Sequence, residues 1–246
     1  MIFVVIPTLN EAARLPPLLD ALAREETLHE VIVVDGGSTD STAAIAEARG
    51  VQVVQAPPGR GQQLHEGARH ASGDVLLFLH ADTVFPAGGL AAIARALTEE
   101  PRAPGGNFRL LFDGGDGFSR WLERFYAWIR ARGIYYGDSG IFIRRPVCER
   151  LGGVRPIALM EDYDLVRRLE KAGNTLCIAE PPLITSSRRF QGRHPAAIAL
   201  GWLLFHTLYH LGVDPERLAA LYDSRRRYQR ETPAQESDSL RPQSYS

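Results

Sequence analysis

In four stretches of this 246-residue chain, carboxylates and small polar groups sit beside apolar segments. Val31-Ile32-Val33-Val34 runs into Asp35-Gly36-Gly37-Ser38-Thr39-Asp40, and Val75 to Leu79 runs into His80-Ala81-Asp82. Ile2 to Ile6 runs into Pro7-Thr8-Leu9-Asn10-Glu11, and Met160-Glu161-Asp162 precedes an amphipathic segment. A buried parallel strand is apolar on both faces and opens at its C-terminal tip onto a ligand crevice. Carboxylates at such tips are placed for ligand or metal. The acceptor-only carboxylate of Asp35 suits the N–H of uracil or another base, and Gly36-Gly37 leave the backbone open to a flat ligand. An Asx-type turn is the structural alternative for Asp35. The polar groups of Pro7 to Glu11 can read a base or ribose edge, although Thr8 or Asn10 could equally cap the following helix.

Asp82 ends the longest strand signal. Mg²⁺ or Mn²⁺ takes oxygen ligands and shares them with substrate phosphates, so one carboxylate, two diphosphate oxygens and waters make a reasonable shell. Strand geometry puts His80 on the same side, either to assist there or as a half-buried structural histidine. Asp162 is a general base beside a cleft or a helix cap. Glu161 adjoins it, and Asp138 in Gly137-Asp138-Ser139-Gly140 adds a further carboxylate. Arg188 and Arg189, near Arg193 and His194, could fork onto phosphate oxygens or form a solvated charge run.

Absent motifs narrow the chemistry. No Gly-x-Gly-x-x-Gly follows the first strand, and there is no Gly-x-x-x-x-Gly-Lys-Ser/Thr, so neither a Rossmann dinucleotide site nor a P-loop is expected. Lys171 is the only lysine, which leaves Schiff-base chemistry almost no candidate. A net charge of −1 gives no electrostatic case for nucleic acid. Cys148 and Cys177 lie far apart without metal spacing, pointing to a reducing compartment and no disulfide framework.

The elements that position these groups read as βαβαβαβ. Strands are expected at Ile2–Ile6, Val31–Val34, Val51–Val54 and Val75–Leu79. Helices are expected from about Glu11 to Ala23, then from a Ser38 or Thr39 cap, with Asp40 early in it and Ala43, Ile45, Ala46 and Ala48 along it, to a stop at Gly50, and from about Gly61 to Ala71. This order predicts a parallel sheet with helices on both faces, and 45% hydrophobic residues are ample for its core. A helix from Pro86 to about Thr98, a strand at Asn107–Phe112, an aromatic-rich helix from Phe118, a short strand at Ile141–Ile143, a helix at Tyr163–Ala172 and a strand at Thr175–Ala179 follow. The N-terminal apolar run is cut short by Pro7 and lacks a basic region before it, so no signal peptide is expected. Ala196 to Val213 has no formally charged side chain and reads as a packed helix, a surface-lying helix or a membrane span.

The motifs, in this order, resemble the family 2 glycosyltransferases. The matching stretches are Ile6 to Glu11, Val33 to Asp40, Gly73 to Asp82 and Met160-Glu161-Asp162. The resemblance implies an α/β GT-A fold with a mainly parallel central sheet and helices on both faces. It implies one domain over 1–225, with a nucleotide-sugar half at 1–112 and an acceptor half at 113–225, then a polar tail at 226–246. An inverting, hexosyltransferase-like enzyme follows, using Mn²⁺ or Mg²⁺ and a nucleotide-diphosphate sugar, a UDP-sugar foremost. Pro7, Thr8, Asn10, Glu11, Asp35, Gly36, Arg60 and Ala81 fall to the nucleotide, and Asp82 with His80 to the metal. Asp162 falls to catalysis, and Glu161, Asp138, Arg188 and Arg189 to the phosphate or acceptor side. The acceptor is not specified; a lipid-linked one is permitted, as is peripheral membrane contact through 196–213 at the cytoplasmic face. The usual Asp-Asp-Gly-Ser is here Asp35-Gly36-Gly37-Ser38, and the usual Asp-x-Asp is His80-Ala81-Asp82. That combination is similar to a bacterial subgroup often labelled arsenosugar-biosynthesis glycosyltransferase, a label that carries no substrate. A nucleotidyltransferase would need a Gly-rich, basic first loop, which Pro7 to Glu11 is not. A nucleotide-sugar-binding protein without catalysis is the other alternative, prompted by His80.

Overall fold

The computed structural model describes residues 1–114, 117–185 and 195–222. Arg188, Arg189 and the tail expected at 226–246 lie outside the described residues. Seven strands form one sheet in the order β3-β2-β1-β4-β6-β5-β7. They are β1 (Ile2–Thr8), β2 (His29–Asp35), β3 (Gln52–Gln55), β4 (Val75–Phe78), β5 (Gly105–Phe112), β6 (Ile141–Arg144) and β7 (Leu176–Thr185). The first four run parallel, and β5 pairs parallel with β7. Only β6, between β4 and β5, is antiparallel to both neighbours.

Alternation along β1 divides the core in two. Ile2, Val4 and Ile6 face helix α1 (Leu15–Leu22) through Leu15, Leu18, Leu19 and Leu22, and α4 (Gly89–Glu99) through Leu90, Ile93 and Leu97. Phe3 and Val5 face the other way, onto Leu64 of α3 (Arg60–His70) and Leu165, Val166 and Leu169 of α7 (Glu161–Ala172). Helices α2 (Thr42–Glu47), α5 (Gly117–Arg130), α6 (Arg145–Arg150) and α8 (Pro195–His210) complete the labelled helices, and 215–222 is also helical.

Several boundaries differ from the sequence expectation for physical reasons. Helix α1 starts at Leu15, with prolines in its first turn, where a missing N–H costs nothing. The amides of Asn10, Glu11 and Ala12 instead bond to Ser38, Thr42 and Asp40. Asp40 lies before α2, and neither Ser38 nor Thr39 caps it; Ser41 occupies that place. Strand β7 continues through Pro181-Pro182 because it is an edge strand, where proline is tolerated. Strand β4 ends at Phe78, and the chain then turns, with the Thr83 amide bonded to the His80 carbonyl. The period-two placement of His80 therefore does not apply.

Candidate active site

The tips of β1 and β2 are stitched into a double-walled lip. Thr8 and Asp35 are each only 2% exposed. One Asp35 oxygen accepts the Gly37 and Ser38 amides at 3.2 and 2.9 Å, and the other accepts the Ser38 hydroxyl and, at 3.4 Å, that of Thr8. This is the turn arrangement, in which the carboxylate shapes the Gly36-Gly37 loop. Asn10, held at φ +56°, accepts the Thr39 amide at 2.8 Å and caps no helix. Pro7 pairs within the sheet opposite Val34. The Glu11 carboxylate takes Arg14 at 3.0 Å.

A second cluster forms where α3 meets the start of α7. Arg60 lies at the first turn of α3 and donates to the carboxylates of Glu161 and, at 3.4 Å, Asp162. Its guanidinium, expected on the nucleotide, is engaged by this acidic pair. Asp162 is 8% exposed and also accepts the Gly137 and Tyr163 amides at 3.0 and 2.7 Å. It lies inside the helix; Met160 at φ +70° is the N-cap residue, so the capping alternative is not observed. Burial works to raise the Asp162 carboxyl, but the Arg60 charge, the two amides and His80 outweigh it and hold it below the ordinary range. Glu161 is pushed up by burial, with the Asp162 charge adding to the rise against Arg60. The adjacent pair thus divides into an ionised carboxylate and a weaker acid. Asp138, in the 3-10 turn Gly137–Ser139, is buried and accepts the Tyr126 hydroxyl at 3.1 Å.

Asp82 is exposed on the turn after β4, and Ala81 is buried beside it. His80 lies near Asp162: a side-chain carbon added at Gly137 would stand 2.9 Å from His80 Nε2 and 3.4 Å from Asp162 Oδ2. Among the described residues no three His, Cys, Asp or Glu side chains gather to hold a metal. The donor set fits a hard cation bound through one carboxylate, with its other ligands from substrate phosphates and water.

The chain matches the family model described as glycosyl transferase family 2 over residues 3–148. It belongs to that family. An uncharacterised glycosyltransferase of Mycobacterium tuberculosis is 38% identical over 95 residues, 38% of this chain and 42% of that protein. The match thus spans less than half of that relative. Staphylococcus aureus TarS 1–349 in complex with UDP-GlcNAc superposes with a TM-score of 0.62 at 19% identity, covering 78% of this chain and 60% of that one. The mannosyltransferase PcManGT of Pyrobaculum calidifontis, in complex with GDP-Man and Mn²⁺, gives 0.60 at 21% identity over 76% and 56%. The fold of this family 2 chain is accordingly GT-A-like, with a mixed central sheet flanked by helices.

Three contributors to the site were missed from sequence. Gln63, one turn beyond Arg60, is 4% exposed and donates to the Thr8 and Val34 carbonyls at 2.6 and 2.8 Å. Helix α3 thereby carries the lip with one residue and the acidic pair with another. The Gly137 amide, a direct donor to Asp162, had no side-chain signal. His206 of α8 packs against Tyr163 with ring centroids 4.2 Å apart and bonds the Tyr136 hydroxyl at 2.6 Å. Nothing local marked it, since α8 has no charged face to orient it.

Proposed function

We propose that the chain is an inverting, metal-dependent glycosyltransferase that moves a sugar from a nucleoside-diphosphate donor, a UDP-sugar foremost, to an acceptor hydroxyl. The observation that carries this reading is Asp162: a buried carboxylate kept ionised by Arg60 and the Gly137 amide, close to the turn that bears Asp82. Family membership supports transferase chemistry, and UDP-GlcNAc in TarS and GDP-Man with Mn²⁺ in PcManGT support donor and metal class.

The β1–β2 lip receives the nucleotide along its exposed rim, offered by Leu9, Asn10 and Gly37. Asp82 would hold Mn²⁺ or Mg²⁺, which neutralises the departing diphosphate. Asp162 takes the proton of the acceptor hydroxyl. The acceptor oxygen forms its bond to the sugar C1 from the face opposite the diphosphate, and the C1–O bond breaks with its electron pair going to the phosphate. General-base assistance is worth about 10²–10⁴-fold; alignment by the two halves of the domain contributes separately.

The test is a nucleotide-sugar panel assayed with Mn²⁺ and with chelator, in the wild type and in Asp162→Asn. Turnover that needs metal and falls by about 10²–10⁴-fold in the variant is expected, with donor affinity and melting temperature retained. Near-wild-type turnover in Asp162→Asn would move the base elsewhere. Donor binding without any turnover in the wild type would favour a binding protein.

A further inference from the structure

Helix α8 is apolar on two opposite sides. Ile198 and Phe205 are buried, and Trp202 stacks on Phe125 of α5 at 4.8 Å and 13°. The outward stripe is also apolar: Leu200 and Leu203 are 68% and 63% exposed, and Leu211, just past the helix end, is 75% exposed. No Asp, Glu, Lys or Arg occurs from Pro195 to Val213. A helix that is hydrophobic all round needs apolar surroundings on every side, and here one side lacks them among the described residues.

The neighbouring outward face of α5 supplies the complement. Trp128 is 54% exposed, stacks on Phe125 at 6.0 Å, and carries the Arg132 guanidinium 3.8 Å over its ring. Arg124 is exposed one turn before it, and the only acid of α5, Glu123, is half-buried and accepts the Phe112 amide. Phe125 stacks on both Trp128 and Trp202, so α5 and α8 lie side by side, and each exposes its own outward residues.

We propose that this α5–α8 face docks onto an anionic phospholipid surface. Leucines enter the acyl boundary, the indole sits at headgroup level and the arginines meet lipid phosphates. Helix α8 has 16 residues, and no helix among the described residues is long and apolar enough to cross a membrane. At roughly 24 Å against a core of about 30 Å, it lies in the interface rather than through it. A second copy of the chain fits the face less well, because a two-fold contact brings the same arginines while α5 and α8 themselves offer no exposed acid to meet them. The docking does not rest on the transferase reading.

Sedimentation of the full chain with phosphatidylcholine vesicles, with and without phosphatidylglycerol, tests the proposal. Pelleting that requires phosphatidylglycerol and weakens with salt is expected. Leu200→Glu with Leu203→Glu, and separately Arg124→Glu with Arg132→Glu, should each cut the partition by about tenfold or more. Melting temperatures report folding, and Leu203→Ser alone serves if the double leucine variant melts early. Wild type remaining in the supernatant with anionic vesicles overturns the proposal. So does pelleting that no variant reduces. A dimer that Leu203→Glu dissociates, without vesicle binding, would assign the face to a second copy and overturn it equally.

Discussion

Glu161 and Asp162 are adjacent, share one guanidinium and titrate in opposite directions. Asp162 gains two backbone amides and the charge influence of His80, whereas Glu161 is the more deeply buried of the two. A base must be deprotonated to act, so the depressed member is the fitting one at neutral pH. Arg60 is then a positioning and charge-setting residue, and its removal has a definite sign. Arg60→Gln takes away the largest influence lowering the Asp162 carboxyl and leaves burial, which raises it. The acid limb of the kcat/KM profile, which reports the free enzyme's base, should move to higher pH in Arg60→Gln. Turnover should recover on raising the pH, a response that mere loss of structure would not give. An unshifted acid limb would detach Arg60 from the base.

At the scale of elements, helix α3 spans the two halves of the site. Its first turn holds Glu161 and Asp162 through Arg60, and its next turn holds Thr8 and Val34 through Gln63. Gln63→Leu keeps the approximate volume but leaves two buried carbonyls without this donor. The Thr8 carbonyl keeps the Gly36 amide at 2.9 Å and that of Val34 keeps the Thr8 hydroxyl at 3.4 Å, so the loss is that of ordinary hydrogen bonds, about 0.5–1.5 kcal/mol each, which urea unfolding should show. Calorimetric titration should show weaker UDP binding through the loosened lip. Unchanged UDP affinity alongside the stability loss would confine Gln63 to packing. The sequence displayed the strands, the order of the parallel half and the motifs at their tips, because apolar runs and Gly or Asp stops are local signals. It did not display what the tips do to one another. Asp35 and Asn10 also close the lip, through partners 27 and 29 residues away, Thr8 and Thr39. Gln63 looked like one polar residue in a polar helix. Such roles depend on crossover geometry, which residue pattern does not encode.

For the whole molecule, the decisive long-range contact is α8 folded back beside Tyr163 and Asp162. Its lack of charge was plain in the sequence, and its place was not, since an all-apolar helix offers no polar face to say which side turns inward. The contact brings His206 between Tyr136 and Tyr163, within the influence of Asp162. Burial lowers the imidazole from 6.5 to about 4, with nearby His210 adding to the fall against Asp162. Between these values the folded protein keeps His206 neutral, hydrogen-bonded with the Tyr136 hydroxyl, where the unfolded chain would protonate it. Between these two values the unfolded state binds more protons, so stability falls as pH drops from about 6.5 toward about 4. Glu161 acts in the other sense: with its folded carboxyl raised, the stability it lends is full below its ordinary value and fades as pH climbs through the raised one. Asp162 loses its contribution only below the ordinary carboxylate range. Comparing wild type with His206→Gln at each pH cancels both carboxylates and isolates the histidine. Urea midpoints should show the wild type losing its margin over His206→Gln as the pH is lowered through that window. A wild-type-minus-variant difference that stays constant from neutral pH to about pH 4.5 would mean that His206 titrates freely, and that α8 does not cover it as the structure shows.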